Sequence, residues 1–339
     1  MSGEFELIGL LRERLALAGV SAGERVVVPS GDDAAVTVPG GATATSVDAI
    51  VDGVHFRRST YSPEAIGAKA LAVALSDLAA MGAEPGEAYV QLGLPDDLSE
   101  DELAGVGDGF GAVAAANGVT VAGGDVVASP VLFLAITVVG HAPDTGSFVT
   151  RSGAKEGDAL VLIGRVGGAA AGLLLLERPE LRDAVEADVA TALIERQTNP
   201  VALIKAGVAL AAGGASAMID VSDGLGADAG HVARSSGVRL ELDLLSESVC
   251  TGVKEVAEAA GRDPLELAAS GGEDYALLAS VPPDRLDAAV EAVRRTSSSP
   301  ALAGRVGAGE GVVLRGPTGR EASAAGFDQV RSRARGAPT

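Results

Sequence analysis

Apolar positions change their spacing repeatedly along this chain, and each change marks a predicted helix or strand. Phe5, Ile8, Leu11 and Leu15 recur at helical spacing behind Ser2, a residue able to cap a first turn. Residues 26–28 form a short apolar run and residues 42–48 a second strand. The stretch 63–81 reads as a helix, with Pro63 near the first turn where proline is tolerated. Its apolar residues occupy nearly every face, which predicts burial. Residues 87–94 are a further strand, and Ser99 with Glu102 is a capping-box signature for a helix to about Asn117. Residues 119–122 lead into Gly123-Gly124-Asp125, and 131–139 is a strong strand.

The polar stretch 148–158, which holds Arg151, Gly153, Lys155 and Gly157, then interrupts the pattern. It predicts two domains, 1–147 and 148–339. The second restarts with a strand at 159–163 and helices near 169–177, 185–196 and 201–212. A strand ending in Asp220, a helix over 227–236 and a strand over 238–243 follow. Helices near 249–260 and 284–294 and late strands at 275–281 and 312–314 complete it. Residues 331–339 read as a loose tail. Helices and strands alternating in both halves predict an α/β (α+β) class, with mixed sheets flanked by helices.

Composition narrows the functions available. The 339 residues suffice for two cores, and a hydrophobic fraction of 47% argues against extensive disorder. A net charge of −20 argues against nucleic acid and anionic membranes, both of which attract basic surfaces. Cys250 is the only cysteine, which excludes an intrachain disulfide and a cysteine-rich metal site. The acidic start lacks an apolar signal core, and the most apolar stretches are short or interrupted by Arg165 and Gly167-Gly168. The expectation is a cytoplasmic protein.

Carboxylates then stand out by position. In Met218-Ile219-Asp220-Val221-Ser222-Asp223-Gly224-Leu225 an apolar run ends in two carboxylates, a hydroxyl and a glycine, ahead of a helix. Side chains at such a strand end face a crevice, and the helix amino terminus favours phosphate. Asp223 could be only an N-cap, and Asp-Gly is an ordinary turn. The same pattern recurs, however, at Gly31-Asp32-Asp33, Ser46-Val47-Asp48, Ser76-Asp77 and Gly123-Gly124-Asp125. Carboxylates at the ends of buried elements are costly unless a cation pairs them. Mg²⁺ bridging carboxylates to a phosphate accounts for all of them together.

These motifs, with Gly53-Val54-His55-Phe56, Leu78-Ala79-Ala80-Met81-Gly82, Arg151-Ser152-Gly153-Ala154 and Gly272-Glu273-Asp274-Tyr275, occur in an order that resembles the thiamine-monophosphate kinases. That family lies within the aminoimidazole ribonucleotide synthetase-like superfamily, and the likeness spans residues 5 to about 330. The resemblance implies a two-domain subunit, a homodimer joined through its amino-terminal sheets, several Mg²⁺ ions, and ATP and thiamine monophosphate as substrates. It implies metal ligation by Asp32, Asp48, Asp77, Asp125, Asp220 and Asp223, with oxygens from Ser46 and Val47. Gly124, Asp125, Arg151 and Ser222 would contact the nucleotide, and His55, Glu273 and Phe327 the thiamine phosphate. Asp48, Asp125, Arg151 and Asp223 would carry the chemistry. The chain departs from the family pattern at Pro29, Val126, Val127, Gln329 and the segment Arg196-Gln197-Thr198-Asn199-Pro200.

The acceptor phosphate explains the scarcity of conventional catalytic groups. Its second pKa is about 6, so the attacking oxygen is already anionic near neutrality and needs no general base. The obstacle is repulsion, roughly 4 kcal/mol for two unit charges 4 Å apart at an effective dielectric of 20. No Gly-x-x-x-x-Gly-Lys-Ser/Thr loop is present, so metals and Arg151, with Lys155 second, take the role of a P-loop lysine. His141 and His231 lack comparable context and read as structural. Competing readings are another activity of the superfamily, such as aminoimidazole ribonucleotide synthetase, or an inactive metal–nucleotide binding module. The reactive terminal cysteines of its selenophosphate-forming and hydrogenase-maturing members are absent.

Overall fold

The computed structural model describes residues 4–21, 23–30 and 34–322. The chain forms two compact units. The first comprises residues 1–79, 83–148 and 198–204; the second comprises 80–82, 149–197 and the chain from 205 onward.

The first unit runs α1 (Glu4–Leu17), β1 (Val26–Val28), β2 (Val36–Thr37), β3 (Ala42–Val51), α2 (Pro63–Ala80), β4 (Glu84–Leu94), α3 (Glu100–Ala116), β5 (Thr120–Ala128) and β6 (Phe133–Ala142). β1 and β2 pair with each other, and the remaining strands form a sheet in the order β3-β6-β4-β5. Only β4 and β5 are parallel, and α3 is the crossover that such a pair requires. The capping box starts α3 as expected: Glu102 N–H donates to Ser99 Oγ at 3.2 Å, and Ser99 N–H donates to the Glu102 carboxylate at 2.9 Å. α2 is buried from Ile66 onward except at the half-buried Asp77, with Leu71, Leu75 and Ala79 fully covered. It meets α3 through glycines, since a Cβ on Gly67 would lie 1.9 Å from the Val106 carbonyl oxygen. One expectation changes here. Asp125 does not end an apolar run but lies within β5, because strand pairing continues through Gly123 and Gly124 to Ala128.

The second unit runs β7 (Ala159–Ile163), α4 (Gly168–Glu177), α5 (Ala187–Thr198), α6 (Ile204–Ala212), β8 (Ala217–Val221), α7 (Leu225–Ser236), β9 (Arg239–Asp243), α8 (Val253–Ala259), α9 (Pro264–Ser270), β10 (Ala276–Val281), α10 (Leu286–Arg294), β11 (Pro300–Gly307), β12 (Gly311–Arg315) and β13 (Glu321–Ala322). Its sheet is mixed, in the order β13-β12-β9-β11-β7-β10-β8, with β9 and β12 parallel and the other pairs antiparallel. Leu160, Leu162, Ile219, Leu225, Leu240, Val253 and Leu278 anchor the core. β8 is an edge strand yet every residue of it is buried, Asp220 included.

α9 and β11 were not anticipated from the sequence. α9 is a separate short helix that Asp263 caps and Pro264 opens. β11 begins at proline and bends at Gly304, whose φ is +141° and where the register shifts. A Cβ there would meet the Glu241 carbonyl oxygen at 1.9 Å, so glycine is required. Among the described residues no helix is long and apolar enough to cross a membrane.

Candidate active site

In the first unit, β3 alternates sides as a strand must, so Ser46, Asp48 and the buried Ile50 share one face. Val47 points the opposite way and is 68% exposed. Ser46 Oγ donates a hydrogen bond to Asp77 Oδ2, so the strand and the end of α2 join two residues that are 31 positions apart. Asp48 Oδ1 accepts from the Ala49 amide at 2.8 Å. Immediately beyond β3 the chain turns, and His55 Nδ1 accepts from the Val51 amide at 3.1 Å. An accepting Nδ1 leaves the ring proton on Nε2, a donor suited to an anion.

Asp125 lies elsewhere. Asp48 pairs with Ile136, Ile136 with Val90, and Val90 with Gly124. Asp125 is one residue further along β5, so it projects from the opposite face of the sheet. β3 and β5 are the two edges of that sheet. Three strand spacings of about 4.8 Å separate them by roughly 14 Å. Within one chain, Asp48 and Asp125 are not brought together.

A cavity of about 490 Å³ lies between α1, α3 and the sheet, lined by Leu11, Leu15, Leu92 and Phe110, with Gly124 and its neighbour Asp125 at its border. A Cβ on Gly124 would approach the Val90 carbonyl oxygen to 2.4 Å, so glycine is required in this wall. Val126, one of the departures from the family pattern, also lines the cavity. Size and apolar walls fit a nucleoside-sized ligand.

In the second unit, Asp220 sits at the end of β8 with 3% of its surface exposed. Ser222 and Asp223 form the turn into α7, which Gly224 completes with φ +111°. Asp228, one turn into α7 and also buried, accepts from the Ser222 and Asp223 amides through the same oxygen, at 2.9 Å each. Burial and then the Asp220 charge push the Asp228 carboxyl up to about 7, against the two amide hydrogen bonds. His231 stands one further turn along α7; Asp223, Asp228 and His231 each offer a donor atom, all within 4.8 Å of one another. Burial lowers the His231 pKa, and the nearby charges of Arg234 and Arg151 lower it further.

The Gly272–Tyr275 segment is fastened to this turn. Glu273 N–H donates to the Ser222 carbonyl and Tyr275 N–H to the Val221 carbonyl, both at 2.8 Å. Both residues hold positive φ, +67° and +48°, a conformation that costs energy in a side-chain-bearing residue. Asp274, between them, accepts from the Gly167 and Ala169 amides at the start of α4. The residue is half-buried, yet its carboxyl is desolvated and pushed up to about 7.

Of the expected site residues, the structure joins Ser46 to Asp77 in one unit and places Asp220, Ser222, Asp223 and Glu273 around one turn in the other. Arg151 is exposed, and its carbonyl accepts from Ser236 Oγ at 3.3 Å. Asp32, Phe327 and Gln329 lie outside the described residues, as does Ser2. His141 is buried against Glu87 at 2.8 Å, whereas His231, read from sequence as structural, stands beside Asp223. Asp228 and Gln197 were missed. Asp228 carried one usable signal, a carboxylate in the first turn of the helix behind Asp223.

The donors suit magnesium. Ser46, Asp48, Asp77, Asp220 and Asp223 offer oxygen alone, the donor type that a hard divalent cation takes.

Comparison with known proteins places the chain among kinases of one kind. Residues 31–142 match the family model "AIR synthase related protein, N-terminal domain" and residues 155–316 match "AIR synthase related protein, C-terminal domain". The chain is 36% identical to the thiamine-monophosphate kinase of Aquifex aeolicus over 319 residues, 93% of this chain and 94% of that one. It superposes on the thiamine-monophosphate kinase of Stenotrophomonas maltophilia with a TM-score of 0.79, at 33% identity, covering 91% of this chain and 95% of the other. AaThiL complexed with AMPPCP and TMP matches with a TM-score of 0.72, 33% identity and 96% of both chains.

Proposed function

Because the chain belongs to the thiamine-monophosphate kinase family, it phosphorylates thiamine monophosphate with ATP, and we propose that it does so by direct in-line transfer at a site completed by a second copy. Thiamine diphosphate and ADP are the products, and the reaction takes place in the cytoplasm. No phosphoenzyme forms, since the acceptor phosphate is itself an anionic nucleophile.

The apolar cavity beside Gly124 receives the nucleoside, and Arg151 and Ser222 contact its phosphates. His55 presents its Nε2 proton to the acceptor phosphate, and Glu273 accepts from the exocyclic amine of the pyrimidine. Phe327 stacks on a thiamine ring. Asp32, Ser46, Val47, Asp48, Asp77, Asp125, Asp220 and Asp223 would hold Mg²⁺, which when bound neutralises the repulsion between the two substrates. Alignment of donor and acceptor by the chain's own residues does the rest.

The observation that carries the two-copy reading is the sheet register. Asp48 and Asp125 stand on opposite faces at opposite edges of one sheet, which favours their meeting between chains over their meeting within one. In a symmetric pair each chain would give Asp125 to its partner's Asp48. The activity itself is tested by ADP release with thiamine monophosphate, free thiamine or an aminoimidazole precursor as acceptor. Release that requires thiamine monophosphate supports this reading. ATP binding without acceptor-dependent turnover would contradict it and point to a binding module.

A further inference from the structure

We propose that Gln197 is a positioning residue for thiamine monophosphate, acting through Glu273; this rests on the reading of Glu273 as a substrate contact. Gln197 lies near the end of α5 with only 2% of its surface exposed, in the segment where the sequence departs from the family pattern. Its Nε2 donates to Glu273 Oε2 at 2.5 Å across 76 residues of sequence.

The two halves of Glu273 are held by different means. Its backbone is bolted to the acidic turn by the bond to the Ser222 carbonyl, and the strained φ of +67° sets the direction in which the side chain leaves. The carboxylate is aimed by Gln197. The glutamine stem has little freedom, since a Cβ on Gly172 would come within 3.2 Å of its own Cβ. A primary amide donates to the carboxylate without exchanging a proton with it. By holding one oxygen, Gln197 sets the plane of the carboxylate that an N–H donor of the substrate has to meet. The exocyclic amine of the aminopyrimidine is such a donor; the adenine amine of ATP is another, but in the proposed reading the nucleoside lies beside Gly124 rather than at Glu273. The predicted effect is therefore confined to one substrate.

Initial-rate kinetics of wild type, Gln197→Met, Gln197→Glu, Glu273→Ala and the Gln197→Met/Glu273→Ala double variant test this. Methionine keeps the buried stem and removes the donor. It should raise KM for thiamine monophosphate about five- to tenfold, with KM for ATP and kcat within about twofold of wild type. Gln197→Glu, which sets two carboxylates together, should raise it further. In the Glu273→Ala background Gln197→Met should add nothing. An added effect there, an equal shift for both substrates, or no shift at all would overturn the proposal. A wild type without thiamine monophosphate-dependent ADP release would remove the underlying activity instead, so the two failures are distinguishable.

Discussion

In the first unit the acidic groups ride on regular secondary structure; in the second they crowd around a turn. Ser46 and Asp48 take their direction from the pleat of β3, and Asp77 from the end of α2, with one side-chain bond between them. Asp220, Ser222 and Asp223 depend on buried supports: the Asp228 carboxylate beneath two amides, and the Glu273 and Tyr275 amides on two carbonyls. A strand orients its side chains without assistance, whereas a turn carrying like charges has to be fastened. The first cluster should therefore lose function without losing stability when altered, and the second should lose both.

The largest effects are expected from the proposed metal ligands. Asp48→Asn and Asp223→Asn should each reduce turnover by about a hundredfold or more at limiting Mg²⁺, with circular dichroism unchanged for Asp48→Asn. Near-normal rates in both variants would remove the metal assignments.

Asp228 separates the two clusters more finely. Asp228→Ala leaves two part-buried amides without their acceptor, at a cost of up to about 1–3 kcal/mol each, and should lower turnover together with the urea midpoint. Asp228→Asn keeps a carbonyl oxygen able to receive both amides and should retain most of the stability. Equal losses in the two variants would mean that charge, not hydrogen bonding, fastens the turn.

The last effect is read through pH. Desolvation raises Asp274 to about 7, so the folded chain holds a proton that the unfolded chain has lost above about pH 4. Stability of the metal-free protein should fall as pH rises between these values and level off above pH 7. The slope is at most about 1.4 kcal/mol per pH unit for one proton. Asp274→Asn should flatten this fall, leaving the part due to Asp228. Unfolding curves at a series of pH values measure it, and an unchanged slope would show that Asp274 is ionised in the folded state.

Legibility in the sequence followed the same division. α3 announced itself through Ser99 and Glu102, α2 through its apolar faces and β8 through the run ending in Asp220, because each signal is local. β11 was hidden because proline, alanine and glycine give it no alternation, and its strand character comes from pairing with β7 and β9. The position of Asp125 within β5 was hidden for a similar reason, since only its partner strand shows that Gly123 and Gly124 continue the ladder. Gln197 could not be linked to Glu273 from spacing alone. The tertiary fold makes that contact.

In the two-copy reading, Asp48 and Asp125 act on one set of phosphates from two different chains. Refolding Asp48→Asn and Asp125→Asn chains together tests it most directly. Random pairing makes half of the dimers mixed, and each mixed dimer has one intact site of two, so activity should return to about a quarter of wild type. A mixture no more active than the two variants apart would mean that the two aspartates do not share a site across chains.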